Sequence, residues 1–158
     1  MPSSSFATYK YNLDDVHRLI EAYEQLKPTG QGRRGLGHIT RSIIVTLCAC
    51  WEQYIEDLTV ESVKLLAAQA ESPDDLPKPV RKTLSSSVKN SKHDLQPLKL
   101  AGDGWKDLYE AYSKHAVNDL HSPKPDPVNQ ILHNYVGLRS DIFDFWSAGK
   151  DAIHEFVE

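Results

Sequence analysis

Two cysteines, a single methionine and the lack of any long apolar run set the first limits on this 158-residue chain. No stretch approaches the roughly eighteen apolar residues of a membrane span, and the opening MPSSSFATYK has no apolar core of a signal peptide. The expected location is therefore the cytoplasm, with no membrane partner. Cys48 and Cys50 lie two positions apart in a helix-period stretch, where their side chains diverge by roughly 200°. They can neither bridge each other nor chelate one metal, and they read as small buried hydrophobes. Apolar and polar residues nowhere alternate over a useful length, which excludes a sheet, and no internal repeat is present. Glycine and proline, eight and nine in all, are missing from the whole stretch His38 to Ala70.

That stretch, HITRSIIVTLCACWEQYIEDLTVESVKLLAAQA, is the organising element. At about 100° per residue, Ile39, Ile43, Ile44, Leu47, Cys48, Cys50, Trp51, Tyr54, Ile55 and Leu58 share an arc of roughly half the circumference. So wide an apolar face implies a central helix with neighbours on two sides. Arg41 and Glu52 share a stripe along the margin of that face, about 16 Å apart by helix rise. This is too far for a direct bond, so Glu52 is expected to meet another helix, water or a second subunit.

At 40% apolar and 25% charged, the composition is that of an ordinary globular protein. The length suits one domain, expected to span 12–158 after a flexible 1–11. The net charge of -4 is unevenly spread: residues 78–99 hold six basic groups and one acidic, while both flanks are acidic. Only that segment offers an electrostatic footing for a polyanion.

NLDDVHRLIEAYEQL puts Leu13, Val16, Leu19, Ile20, Tyr23 and Leu26 on one face, with Asn12 as the expected N-cap. The connection KPTGQGRRGLG has glycines and two arginines before a helix, but not the spacing, preceding strand or Lys-Ser/Thr pair of a phosphate cradle. PKPVRKTLSSSVKN spaces Val80, Leu84 and Val88 by four, leaving Arg81, Lys82, Lys89 and Lys92 as candidate RNA contacts. SKHDLQPLKLAGDG reads as a linker. WKDLYEAYSKHAVNDL resumes the helix period through Trp105, Leu108, Tyr109, Tyr112, Ala116 and Leu120. Asp126 is the expected cap of the next helix, with Pro127 first inside it and Gly137 its stop. DIFDFWSAGKDAIHEFVE again fits a helix, which ends in mid-period. The fold expected is all-α, a bundle of five or six helices around one long central helix.

Three segments carry a resemblance: HITRSIIVTLCACWEQYIEDL, LPKPVRKTL, and LAGDGWKDLYEAYSKHAVNDLHSPKPDPVNQILHNYVGLRSDIFDFW. Through the Gly-Asp-Gly-Trp step at 102–105, Leu-His-Ser-Pro-Lys-Pro at 120–125 and Gly-Leu followed by Trp146, the chain resembles the RiboL-PSP-HEPN family. The resemblance implies an all-α HEPN bundle related to metal-independent endoribonucleases of toxin or phage-defence type, working as homodimers without a cofactor. In such enzymes an arginine precedes a histidine on a C-terminal helix with about four to six residues between them. The histidine takes the 2′-hydroxyl proton and the arginine holds the charge developing on the phosphate.

The pair is missing from its expected place. Five to seven positions beyond Arg139 stand Asp144, Phe145 and Trp146, and before His154 stand Gly149, Ala148 and Ser147. Arg33 with His38 matches the spacing, but on the connection before the central helix. His17, His93, His115, His121 and His133 show no zinc spacing and read as surface or capping residues. The catalytic helix is expected beyond Glu158, and the chain as it stands is not expected to cleave RNA. By the resemblance, Glu52 becomes a carboxylate facing the place where the catalytic arginine would arrive, with Arg41 as its accessory. The alternative is a non-catalytic module that dimerises or binds a protein partner or antitoxin, through an apolar patch around Trp146, Ile153 and Phe156.

Overall fold

A computed structural model describes residues 3–26, 35–120, 124–139 and 141–145. Five α-helices follow one another: α1 (Ser4–Leu26), α2 (Gly37–Gln69), α3 (Lys78–Lys89), α4 (Gly104–Asn118) and α5 (Pro125–Ile131). No strand occurs among the described residues, so the fold is all-α. The chain forms two compact units, Met1–Ile55 and Glu56–Glu158.

In the first unit, α1 begins eight residues before the expected Asn12. The Ser3 hydroxyl accepts the Phe6 N–H at 3.2 Å, satisfying a donor that the first turn leaves orphaned. Residues 4–11 are therefore helical. Tyr54 gathers the aromatic packing here, stacked on Tyr9 at 4.7 Å and edge-on to Phe6 at 6.3 Å. The Cys50 thiol donates to the Asn12 carbonyl at 3.6 Å. Few side chains in this unit are fully buried, chiefly Val16, Cys50 and Ile55.

α2 carries the wide apolar arc that was expected to meet neighbours on two sides. Of its wide apolar arc within this unit only Cys50 and Ile55 are buried, while Ile44 is 44% exposed. Hydrophobic periodicity reports what a helix could bury, and among the described residues of this unit part of the arc stays open.

The second unit holds the closed core. Val63 and Ala67 of α2, Val80, Leu84 and Val88 of α3, and Trp105, Leu108 and Tyr109 of α4 form one buried cluster. The turn Pro73–Asp75 between α2 and α3 is fixed by a capping box. Asp75 Oδ2 accepts the Ser72 N–H at 2.9 Å, and Ser72 Oγ accepts the Asp74 N–H at 3.3 Å.

The linker expected at 91–104 contains a 3-10 turn, Gln96–Leu100, tied to α4 by Gln96 Nε2 donating to Tyr112 Oη at 3.0 Å. Gly104 makes that tie possible: a Cβ there would sit 2.1 Å from the Lys99 carbonyl oxygen. α5 starts at Pro125, with Lys124 as its N-cap, not at Asp126. Pro127 is tolerated inside the first turn because its missing N–H would have no helical partner there. A π-helical turn, Leu132–Val136, continues α5 and ends as expected at Gly137, left-handed with φ 82°. A Cβ at Gly137 would lie 2.3 Å from Pro77 Cβ, so this glycine serves both the turn and the packing. The Tyr109 hydroxyl donates to the Tyr135 carbonyl, and burial pushes that phenol well above its ordinary pKa. Ile142–Phe145 forms a 3-10 turn. The rest of the expected last helix lies outside the described residues.

Candidate functional site

Two surfaces carry the candidate residues, one in each unit. On α2, Arg41, Val45, Cys48 and Glu52 recur at intervals of four, three and four, the period of a two-helix seam. Arg41 is exposed and Glu52 half-buried, and Val45 between them is 67% exposed. The stripe thus has an apolar centre and opposite charges at its ends. Neither Arg41 nor Glu52 forms a hydrogen bond or ion pair among the described residues. Burial, with Glu52 as a second cause, raises the Cys48 thiol above its ordinary pKa and keeps it protonated at neutral pH. Val45 falls outside the apolar arc read from the sequence. An apolar residue between two charged stripe members was the available signal.

On α3, the strict four-residue spacing turns Val80, Leu84 and Val88 inward, all buried. Arg81, Lys82 and Lys89 are consequently exposed, and so is Lys92 beyond the helix end. Arg81 is already engaged, donating from Nη1 to Asp74 Oδ1 at 3.0 Å. Lys78, Arg81 and Lys82 line one open depression, and Arg81 and Lys89 flank a second whose lining is largely apolar. Lys92 lines neither. Sequence reasoning missed Lys78 and Ser85, whose contribution depends on where α3 places them.

The histidines do not converge. His17, His38 and His93 are exposed, and His115 Nδ1 lies 2.9 Å from Asp119 Oδ2 one turn along α4. His133 Nδ1 is 2.7 Å from the Leu138 carbonyl oxygen, a local closure of the π turn. Arg139 is held by Asp141 through two hydrogen bonds of 3.0 and 2.8 Å. That guanidinium keeps the Asp141 carboxyl below the usual carboxylate range. Arg33, His121 and His154, like Trp146, Ile153 and Phe156, lie outside the described residues. Among the described residues no arginine precedes a histidine at the nuclease spacing. No group of three or more His, Cys, Asp and Glu side chains among them could hold a metal ion, and no described helix is long and apolar enough to cross a membrane.

A family model described as RiboL-PSP-HEPN matches residues 11–158. No curated protein and no solved structure gives a significant match.

Proposed function

The chain belongs to the RiboL-PSP-HEPN family, and on that premise we propose that it is a homodimerising HEPN module whose described residues bind and do not cut. The observation that carries this reading is the stripe Arg41, Val45, Cys48 and Glu52 on α2, exposed at Arg41 and Val45 and half-buried at Cys48 and Glu52. Two copies of α2 packed antiparallel, with the two-fold axis between Thr46 and Leu47, set Val45 of each against Cys48 of the other. The same register sets Arg41 opposite Glu52 at both ends. The stripe is self-complementary, as an isologous interface requires.

Small side chains on and beside the seam, Cys48 and Ala49, allow the helices to approach within the ~8–10 Å of ordinary helix packing. Burying Ile44 and Val45 of both copies contributes at most roughly 6–12 kcal/mol, at ~1.5–3 per side chain. Association costs ~4–15 kcal/mol. The dimer is thus reversible, and the charge pairs fix its register. Kinship with metal-independent endoribonucleases makes RNA the substrate class of catalytic relatives. In that chemistry a histidine moves the proton and a nearby arginine holds the charge on the phosphate, and the described residues assemble no such pair, so they supply scaffold and interface.

Sedimentation velocity over a concentration series tests the reading. A monomer–dimer equilibrium is expected for the unmodified chain and a monomer for Val45→Glu, which would place two carboxylates at the centre of the seam. Unchanged dimerisation of a folded Val45→Glu variant would refute the interface.

A further inference from the structure

α3 borders two adjoining depressions that share Arg81 and Ser85. One is a slot of ≈ 440 Å³ whose apolar lining comes from Leu84, Val88, Leu100 and Trp105, with Lys89 at its edge. The other, ≈ 580 Å³ and more open, is lined by Lys78, Arg81 and Lys82. We propose that this paired surface docks an acidic amphipathic helix of a partner protein, its aliphatic side chains entering the slot and its carboxylates meeting Arg81, Lys82 and Lys89.

Charge selects the sign of the partner, because residues 78–99 hold six basic groups and one acidic in a chain of net charge -4. Arg81 shows what it accepts: its guanidinium already holds the exposed Asp74 carboxylate at 3.0 Å, which a partner's carboxylate can replace in kind. The slot itself selects against a nucleic acid. Bases need an exposed ring to stack on, and the only aromatic side chain lining the slot is Trp105, 2% exposed. Its ring is also faced by Lys106 Nζ at 5.4 Å. What remains is a depression whose accessible apolar wall is Pro73, Pro97 and Leu100 over the buried Leu84 and Val88, with a cationic border, the complement of an amphipathic helix laid in a groove.

The slot is also preformed. Gly104 lets the Lys99 carbonyl come within 2.1 Å of where a Cβ would be, and Gln96 bonded to Tyr112 at 3.0 Å holds the turn that supplies Leu100. A preformed groove loses little freedom when it is filled, which favours affinity. All of these residues lie in the second unit.

Fluorescence anisotropy on the full chain tests the proposal, with a labelled helical peptide carrying two leucines one turn apart among glutamates. Saturable binding is expected, weakened about tenfold or more when the leucines become serines, since each buried leucine contributes that much. Ser85→Trp, which fills the slot without touching a charge, should weaken binding similarly. Ser85→Glu, a smaller change at the same exposed position, serves as the second arm, and circular dichroism verifies folding of both. Equal binding of the serine peptide, unchanged binding by both folded variants, or no binding of the leucine peptide would overturn the proposal. So would tighter binding of a mixed-sequence single-stranded RNA than of the peptide.

Discussion

The hairpin of α1 with the first half of α2, and the unit built from Glu56 onward, are both amphipathic helices, yet they bury their apolar faces to different ends. In the second unit Val63, Val80, Trp105, Tyr109 and Val128 are essentially closed off from solvent. In the hairpin Tyr11, Ile20, Leu26, Ile44 and Val45 remain in contact with it. Equal helical periodicity therefore does not mean equal burial. The second unit closes a core of its own while leaving Leu65, Leu95, Leu98 and Leu138 exposed, and the hairpin, with few buried side chains, leaves the apolar surface on which the proposed association would draw.

The largest effect that would sharpen this contrast is at Trp105. Trp105→Ala should cost about 3–5 kcal/mol in urea unfolding, the loss of a large side chain from a packed core. It should leave the α2 seam competent in any population that stays folded. Val45→Glu should do the reverse, abolishing the dimer while changing the unfolding free energy of the monomer by under about 0.5 kcal/mol, as expected of an exposed site. A destabilised monomer in the second case would break the comparison, because Val45 would then belong to a core.

A smaller effect is expected with pH. Burial raises the Cys48 and Cys50 thiols and the Tyr9, Tyr109 and Tyr135 phenols above their ordinary values of 9.0 and 10.0. Above those values the unfolded chain gives up protons that the folded chain keeps, so stability falls as pH rises and is unaffected below them. Urea midpoints should be flat through neutral pH and then drop once the pH passes about 9, first from the thiols of the hairpin and, from about 10 upward, from the phenols as well. A midpoint that rises across this window would contradict the burial of these groups.

Much of the second unit was legible in the sequence, because strict spacing on a one-sided helix leaves no alternative. Val80, Leu84 and Val88 announce the buried face of α3, and Gly137 announces the end of the π turn. The Gln96–Leu100 turn was not legible, since its support is tertiary: a hydrogen bond to Tyr112 and the space that Gly104 leaves. The start of α1 was obscured by a serine-rich run in which Ser3 is the working cap. Two prolines, Pro125 and Pro127, both suit the first turn of α5, so sequence alone misplaced its start by two residues. Arg41 and Glu52 were legible as a stripe. Their relation to the exposed Val45 was not, because a periodicity names the face of a helix and says nothing of what stands opposite.

The self-complementary seam on α2 is tested most directly by a charge-swap cycle followed by sedimentation equilibrium. Arg41→Glu and Glu52→Arg, each alone, should weaken the dimer by roughly tenfold, by setting like charges against each other at both ends. The double variant should regain most of that loss, because each new arginine again faces a new glutamate. A double variant as weak as the two single losses combined, or an unmodified chain that stays monomeric at every concentration, would contradict the antiparallel pairing.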